Sequence, residues 1–127
     1  MSAINAVTRE LLDKTEFVTI VTEGPDGAHV VGNWGDYLRR LGFDEDRLVM
    51  PAGYYRKTEE NLQRDNRVQV LVASRSVQGN HGPGQGCVLR GTAAILEEGE
   101  LAERAKSAFP WARGALVITV ESVETQL

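Results

Sequence analysis

Short β-branched runs, each cut off by glycine, proline or asparagine, set what this chain can become. Residues 17–22, Phe-Val-Thr-Ile-Val-Thr, are the first such run. Val, Ile, Thr and aromatic side chains suit a pleated, half-buried strand, and a run this brief cannot sustain a helix. Comparable runs recur at 28–31, 47–50, 68–74, 86–96 and 115–120. Between the first two lies Glu23-Gly24-Pro25-Asp26-Gly27, which supplies the fixed and positive φ values of a tight turn, so these runs form a hairpin. The run 86–96 is the longest, and Gly91 within it reads as a bulge or closure point.

Helical patterns are few. Ile4, Val7, Leu11 and Leu12 share one face at helical spacing, with Ser2 as a cap, and 13–16 end the pattern. Residues 58–64 form a second helix, and 100–109 a third that stops at Pro110. Asn33, Trp34 and Tyr37 follow the second run and precede 38–41, while the Gly-, Asn- and Ser-rich segment 75–85 reads as an exposed loop. Six or seven antiparallel strands with two or three short helices, joined by turns, predict a mainly β, small Greek-key barrel. At 127 residues, residues 1–127 make one domain.

Charge and cysteine usage narrow the function. Fourteen Lys+Arg against eighteen Asp+Glu give a net charge of -4, which argues against general nucleic-acid binding. Cys87 is the single cysteine, so no intrachain disulfide forms and a reducing cytoplasm is the simplest compartment. One Cys with two His is too small a set for a structural zinc site. No apolar stretch approaches membrane-spanning length, and the first residues lack a secretory pattern.

The chemistry concentrates after the third run. Pro51-Ala52-Gly53 bends the chain, and Arg56-Lys57-Thr58 opens the basic helix. A helix N-terminus carries unpaired N–H groups and partial positive charge, so an ammonium and a hydroxyl there make a phosphate seat. Gly53 lets backbone approach a ligand closely. A surface lysine with a capping threonine would also satisfy the pattern. Trp34 and Trp111, each read at a strand mouth, are either core fillers or walls for a flat ring, and Trp34 keeps the company of Gly32, Asn33 and Gly35. Tyr37, Tyr54 and Tyr55 fit either pocket walls or dimer contacts. The turn Gly82-Pro83-Gly84-Gln85-Gly86 lacks the spacing of a nucleotide-binding loop, although Gln85 could reach a ligand. Cys87 reads as a small buried hydrophobe, and Arg39-Arg40 as a solvated face.

These blocks, taken in order, resemble the small FMN-binding members of the pyridoxamine 5′-phosphate oxidase-like split-barrel superfamily. The likeness runs from about Phe17 to Leu127. It rests on Asp26-Gly27-x-His29, Asn33-Trp34-x-x-Tyr37-Leu38, Pro51-x-Gly53, Lys57-Thr58-Glu59-x-Asn61, Gly82-Pro83-Gly84-x-Gly86, Leu89-Arg90-Gly91, Trp111-Ala112-Arg113 and Ala115-Leu116-Val117-Ile118-Thr119-Val120. The resemblance implies a split barrel that binds FMN non-covalently as a homodimer. It implies phosphate ligands at Lys57 and Thr58 with Asn33 as a further polar contact. It places the backbone of Pro51, Ala52 and Gly53 at the ring edge, Trp34 and Trp111 as ring walls, and Leu127 close to the flavin across the dimer. The chain departs from the family pattern at Gly32-Asn33, which replaces the family's Asn-Thr pair before the tryptophan, and at Tyr54, which stands where the family has a second glycine.

Three functions follow as expectations. The first is an electron-transfer flavoprotein serving a redox partner such as a cytochrome or ferredoxin. The second is an FMN-dependent oxidoreductase, a flavin reductase or an oxidase of the pyridoxamine-phosphate type. The third is a barrel holding haem or a deazaflavin.

Overall fold

The structure is a computed structural model and describes residues 3–127. Ten elements follow in chain order: α1 (Ala6–Lys14), β1 (Phe17–Gly24), β2 (Gly27–Trp34), α2 (Gly35–Leu41), β3 (Arg47–Ala52), α3 (Arg56–Arg64), β4 (Arg67–Gln78), β5 (Pro83–Leu96), α4 (Glu100–Ala108) and β6 (Gly114–Thr125). The strands pair in the order β2-β1-β4-β5-β6-β3, each pair antiparallel.

Alternation decides which face of the sheet is core. Val18, Ile20 and Thr22 of β1 and Val68, Val70 and Val72 of β4 point inward, where they meet Leu89 of β5 and Leu116 and Ile118 of β6. Leu11 and Leu12 of α1, Leu38 of α2 and Leu62 of α3 close the same core. Full burial of such side chains contributes about 1.5–3 kcal/mol each. β3 is buried on both faces: Leu48 and Met50 enter this core, and Val49 enters a second cluster with Ala105, Phe109 and Ala115 beneath α4.

The sheet curls until its two edge strands nearly meet. Asn33 at the end of β2 donates from Nδ2 to Pro51 O of β3 at 3.1 Å, so a side chain spans a seam that no backbone ladder closes. Among the described residues the result is a mainly β split barrel with six strands and four helices. Gly91 does mark a bulge, with the β5–β6 register shifting between Arg90 and Gly91. A Cβ there would lie 1.8 Å from Thr119 O, so the strands approach more closely than any side chain permits.

Four details differ from the sequence reading. Ser2 lies outside the described residues, and α1 is capped by Asn5, whose Oδ1 accepts the Thr8 N–H at 2.9 Å. A fourth helix, α2, starts at Gly35, where a Cβ would lie 1.8 Å from Thr15 O. Segment 75–85 is mostly strand, because β4 runs on to Gln78 and β5 begins at Pro83, with a register shift between Ser74 and Gln78 and a turn at 79–82. Trp111 lies in the turn between α4 and β6 and does not begin the strand. Among the described residues no helix is long and apolar enough to cross a membrane.

Candidate functional site

A cleft of about 740 Å³ opens at the seam, between the ends of β2 and β3, the mouth of α3 and the turn before β6. Its apolar walls come from Phe17, Trp34, Tyr37, Pro51 and Trp111, and its cations from Arg56 and Arg113. Trp34 is 49% exposed and rests edge-on against Phe17, with ring centroids 5.3 Å apart. Trp111 is 54% exposed and leans on Tyr37 and Phe109 at 5.9 and 5.5 Å. Neither tryptophan is a core filler. Both hold large flat faces at the rim, braced from behind by other rings. Gly53 permits this closeness, since a Cβ there would lie 3.2 Å from the Trp111 ring.

Asn33 organises the seam. Its Nδ2 donates to Pro51 O and, at 2.9 Å, to the Tyr55 hydroxyl, while its Oδ1 accepts the Trp34 N–H at 2.8 Å. Tyr55 in turn donates to Gly32 O at 2.6 Å. Both amide hydrogens of Asn33 are therefore engaged within the protein, and the side chain is a strut that sets the cleft's width. Tyr55 sits at φ 47°, the left-handed region, and is the one non-glycine residue there among those described. Such a conformation costs on the order of 1–3 kcal/mol and persists where surrounding bonds over-determine it.

Burial pushes the Tyr55 phenol up from its ordinary value of 10.0 to about 12, with the hydrogen bond from Asn33 opposing the rise. The folded chain thus holds this proton more tightly than the unfolded chain. Stability from Tyr55 is complete below the unfolded value and drains away as pH climbs towards the folded one, a loss on the order of 2–3 kcal/mol. Tyr55→Phe is expected to flatten that alkaline slope. Urea unfolding at about pH 9 and about pH 11 checks this, and an unchanged slope would place the titration elsewhere.

The left-handed residue also aims α3. Tyr55 occupies the position before the first turn with no side-chain cap, and the first helical bond runs from Glu59 N–H to Tyr55 O at 2.8 Å. The N–H groups of Arg56, Lys57 and Thr58 therefore have no acceptor inside the helix. Lys57 is exposed, whereas Thr58 is fully buried. Among the described residues, Thr58 Oγ1 is the buried side-chain polar atom with no hydrogen-bond partner. A buried hydroxyl left unpaired is costly and calls for an explanation.

The structure thus brings Asn33, Trp34, Pro51, Gly53 and Trp111 together around the cleft. Lys57 and Thr58 follow directly on Arg56 at its edge. Ala52 has its side chain fully buried and its carbonyl bonded to the Arg113 N–H at 2.9 Å. Leu127 lies apart, 58% exposed, in a separate hollow with Lys14, Arg75 and Gln85. Gln85 does not face the cleft: its Oε1 accepts N–H groups from Gly86, Gln126 and Leu127 at 3.0, 3.2 and 2.7 Å. Cys87 is buried beside Thr8, as a small hydrophobe would be. Arg39 is half-buried and donates to Leu12 O and Thr15 O, whereas Arg40 is exposed, as a solvated face would be, with its guanidinium over the Phe109 ring.

Two residues at the site carry roles that no motif spelled out: Tyr55 as a strained hinge, and Arg113, whose guanidinium bonds the turn ahead of α3. An arginine shortly after a rim tryptophan is a faint signal. Its partners are far away in sequence.

Comparison with known proteins agrees with this architecture. The family model described as pyridoxamine 5′-phosphate oxidase matches residues 4–127. An FMN-binding protein of Nitratidesulfovibrio vulgaris strain Miyazaki F is 47% identical over 118 residues, covering 93% of this chain and 94% of that one. The crystal structure of HupZ from Group A Streptococcus superposes with a TM-score of 0.73 at 19% identity, over 91% and 90% of the two chains. An FMN-binding protein from Syntrophomonas wolfei gives 0.61 at 20% identity, over 94% and 88%. Likenesses that distant speak for the fold. The family match, nearly end to end, and the close relative decide the rest: the chain belongs to the pyridoxamine 5′-phosphate oxidase family.

Proposed function

We propose that the cleft binds FMN without a covalent bond and that the protein is a small electron carrier. The observation that carries the reading is the orphaned Thr58 hydroxyl in the first turn of a helix whose leading N–H groups are also unbonded. That donor set suits a phosphate dianion, with Lys57 adding a charge-assisted bond. Because the hydroxyl is closed to solvent, a phosphate meets it only after a small side-chain movement in that turn. Trp34, Pro51 and Trp111 would wall the ring and exclude water, and Asn33 would hold the seam at the width they need. The bound flavin supplies the redox chemistry, and the chain supplies position and surroundings.

Two features favour a carrier over a substrate-specific enzyme. The cleft's wall offers aromatic rings, two guanidinium groups and the Tyr55 phenol, whose proton burial holds tightly, groups that bind and orient a ligand. The exposed tryptophans lie at the rim, where a redox protein such as a cytochrome or ferredoxin could dock. A reducing cytoplasm suits the lone, buried Cys87.

The reading includes a homodimer. On the outward face, Val30 pairs with Val21, Leu71 lies between Thr19 and Val88, and Phe17 pairs with Trp34. Val30, Leu71 and Phe17 are 59%, 38% and 45% exposed, and their stripe runs into the cleft through Phe17 and Trp34. A second copy seated there would shield the stripe and close the open side of the cleft.

The visible spectrum of the purified protein, before and after reconstitution with excess FMN, tests the proposal. Bound flavin and little turnover with NADH or NADPH are expected. A Soret band would point to haem, sustained turnover to an FMN-dependent oxidoreductase, and failure to retain flavin would remove both flavin readings.

A further inference from the structure

The geometry points to Arg113 as the positioning residue that sets the phosphate seat, a claim that rests on the FMN reading above. Arg113 lies just ahead of β6, yet nearly all of its bonding capacity is spent on the segment from the end of β3 to the first turn of α3. Its Nε donates to Gly53 O at 2.8 Å and to Tyr54 O at 3.0 Å, and its Nη2 donates to Tyr54 O at 2.7 Å. Its Nη1 donates to Glu59 Oε2 at 3.3 Å, and its own N–H bonds Ala52 O. One guanidinium thus ties down the residues on both sides of Tyr55, whose left-handed backbone turns the chain into the helix. The planar fork of arginine reaches two carbonyls and a carboxylate from three separate nitrogens, whereas a lysine ammonium offers its donors from a single point.

Charge gives Arg113 a second task. Glu59 stands in the first turn of α3, where a bound dianion would meet its carboxylate. Arg56 pairs with Glu59 at 3.8 Å but is 69% exposed, so water screens it. Arg113 pairs with the same carboxylate at 3.3 Å while only 14% exposed. Glu97, its other partner at 3.5 Å, is 54% exposed and follows the end of β5, outside the first turn of α3. Arg113 is therefore the group that both aims the helix mouth and neutralises the one acid beside it. Without it, the N–H groups of Arg56 to Thr58 lose their fixed direction, and Glu59 repels the phosphate.

The test compares FMN with riboflavin, which carries the same ring and no phosphate. Wild-type binding of FMN is measured first, and its absence would defeat the parent reading rather than this one. Arg113→Met, which keeps the apolar stem, is expected to weaken FMN at least about tenfold and to change riboflavin by less than about threefold. Adding Glu59→Gln to that variant should recover part of the loss, because the repulsion goes while the aim stays slack. Arg113→Lys should fall between, restoring charge without the carbonyl bonds. Equal weakening of FMN and riboflavin, or no weakening of FMN, would overturn the inference. If Arg113→Met does not fold, Arg113→Lys decides: FMN weakened by at least about threefold with riboflavin unchanged supports it, and unchanged FMN contradicts it.

Discussion

Replacing Lys57 and Thr58 together by alanine is expected to weaken FMN binding by roughly two to three orders of magnitude, about 3–4 kcal/mol. Hydrogen bonds to a charged partner contribute about 1.5–3 kcal/mol each, and the two side chains act on the same phosphate. Riboflavin should be almost unaffected. The contributions separate through Thr58→Val, which deletes the hydroxyl and keeps the shape. In the protein without ligand that change removes an unpartnered buried hydroxyl, so stability should hold or rise by up to about 1 kcal/mol. With FMN present the same variant should lose part of the stabilisation that FMN confers on the unchanged protein. Thermal unfolding with and without FMN reads both signs in one experiment. A Thr58→Val protein that is less stable without ligand would show that the hydroxyl already has a partner.

If the proposed homodimer forms through the outward stripe, Leu71→Asp should convert it to monomers. Leu71 lies on the outward face of β4, flanked by Thr19 and Val88 and 38% exposed, so in the folded single chain a charge there costs about 1–2 kcal/mol. In the middle of an apolar contact between copies the same carboxylate would be dry and unpaired, which costs several kcal/mol and raises the dissociation constant at least roughly a thousandfold. Sedimentation velocity across a dilution series shows the shift in mass. Because the stripe is continuous with the cleft through Phe17 and Trp34, FMN retention should fall in parallel. A Leu71→Asp protein that stays dimeric would move the interface to another face.

What could be read from the chain, and what could not, divides along physical lines. The inward rows of β1 and β4 are written in alternation, Val18 with Ile20 and Val68 with Val70 and Val72, because burial on one face leaves a period of two. The tip of the β4–β5 hairpin is Gly-, Asn- and Ser-rich and sends only Val77 into the core, so its composition imitates a loop. α2 escapes notice because it is seven residues long and opens on a glycine demanded by Thr15 O, a contact from another element. At the site, the residue types in Lys57-Thr58 and the rim tryptophans were legible. The depth of Thr58 was not, since burial at one position depends on packing from the whole barrel.

Asn33 and Arg113 show the same limit more sharply. Asn33 reads as a polar contact for a ligand, but Pro51 and Tyr55 claim its amide, and both lie far along the chain. Arg113 reaches back 60 residues to Gly53 and 54 to Glu59. No local pattern announces such partners. They exist because the curled sheet brings β2, β3 and the start of β6 to one seam.

The central claim is that a dianion is held where α3 begins, and the unmodified protein tests it most directly. Isothermal titration with FMN and with riboflavin, in the same buffer, isolates what the phosphate contributes. The structure predicts FMN binding at least about a hundredfold tighter than riboflavin. Equal affinity for the two would contradict it, leaving Lys57, Thr58 and the mouth of the helix without the role assigned to them.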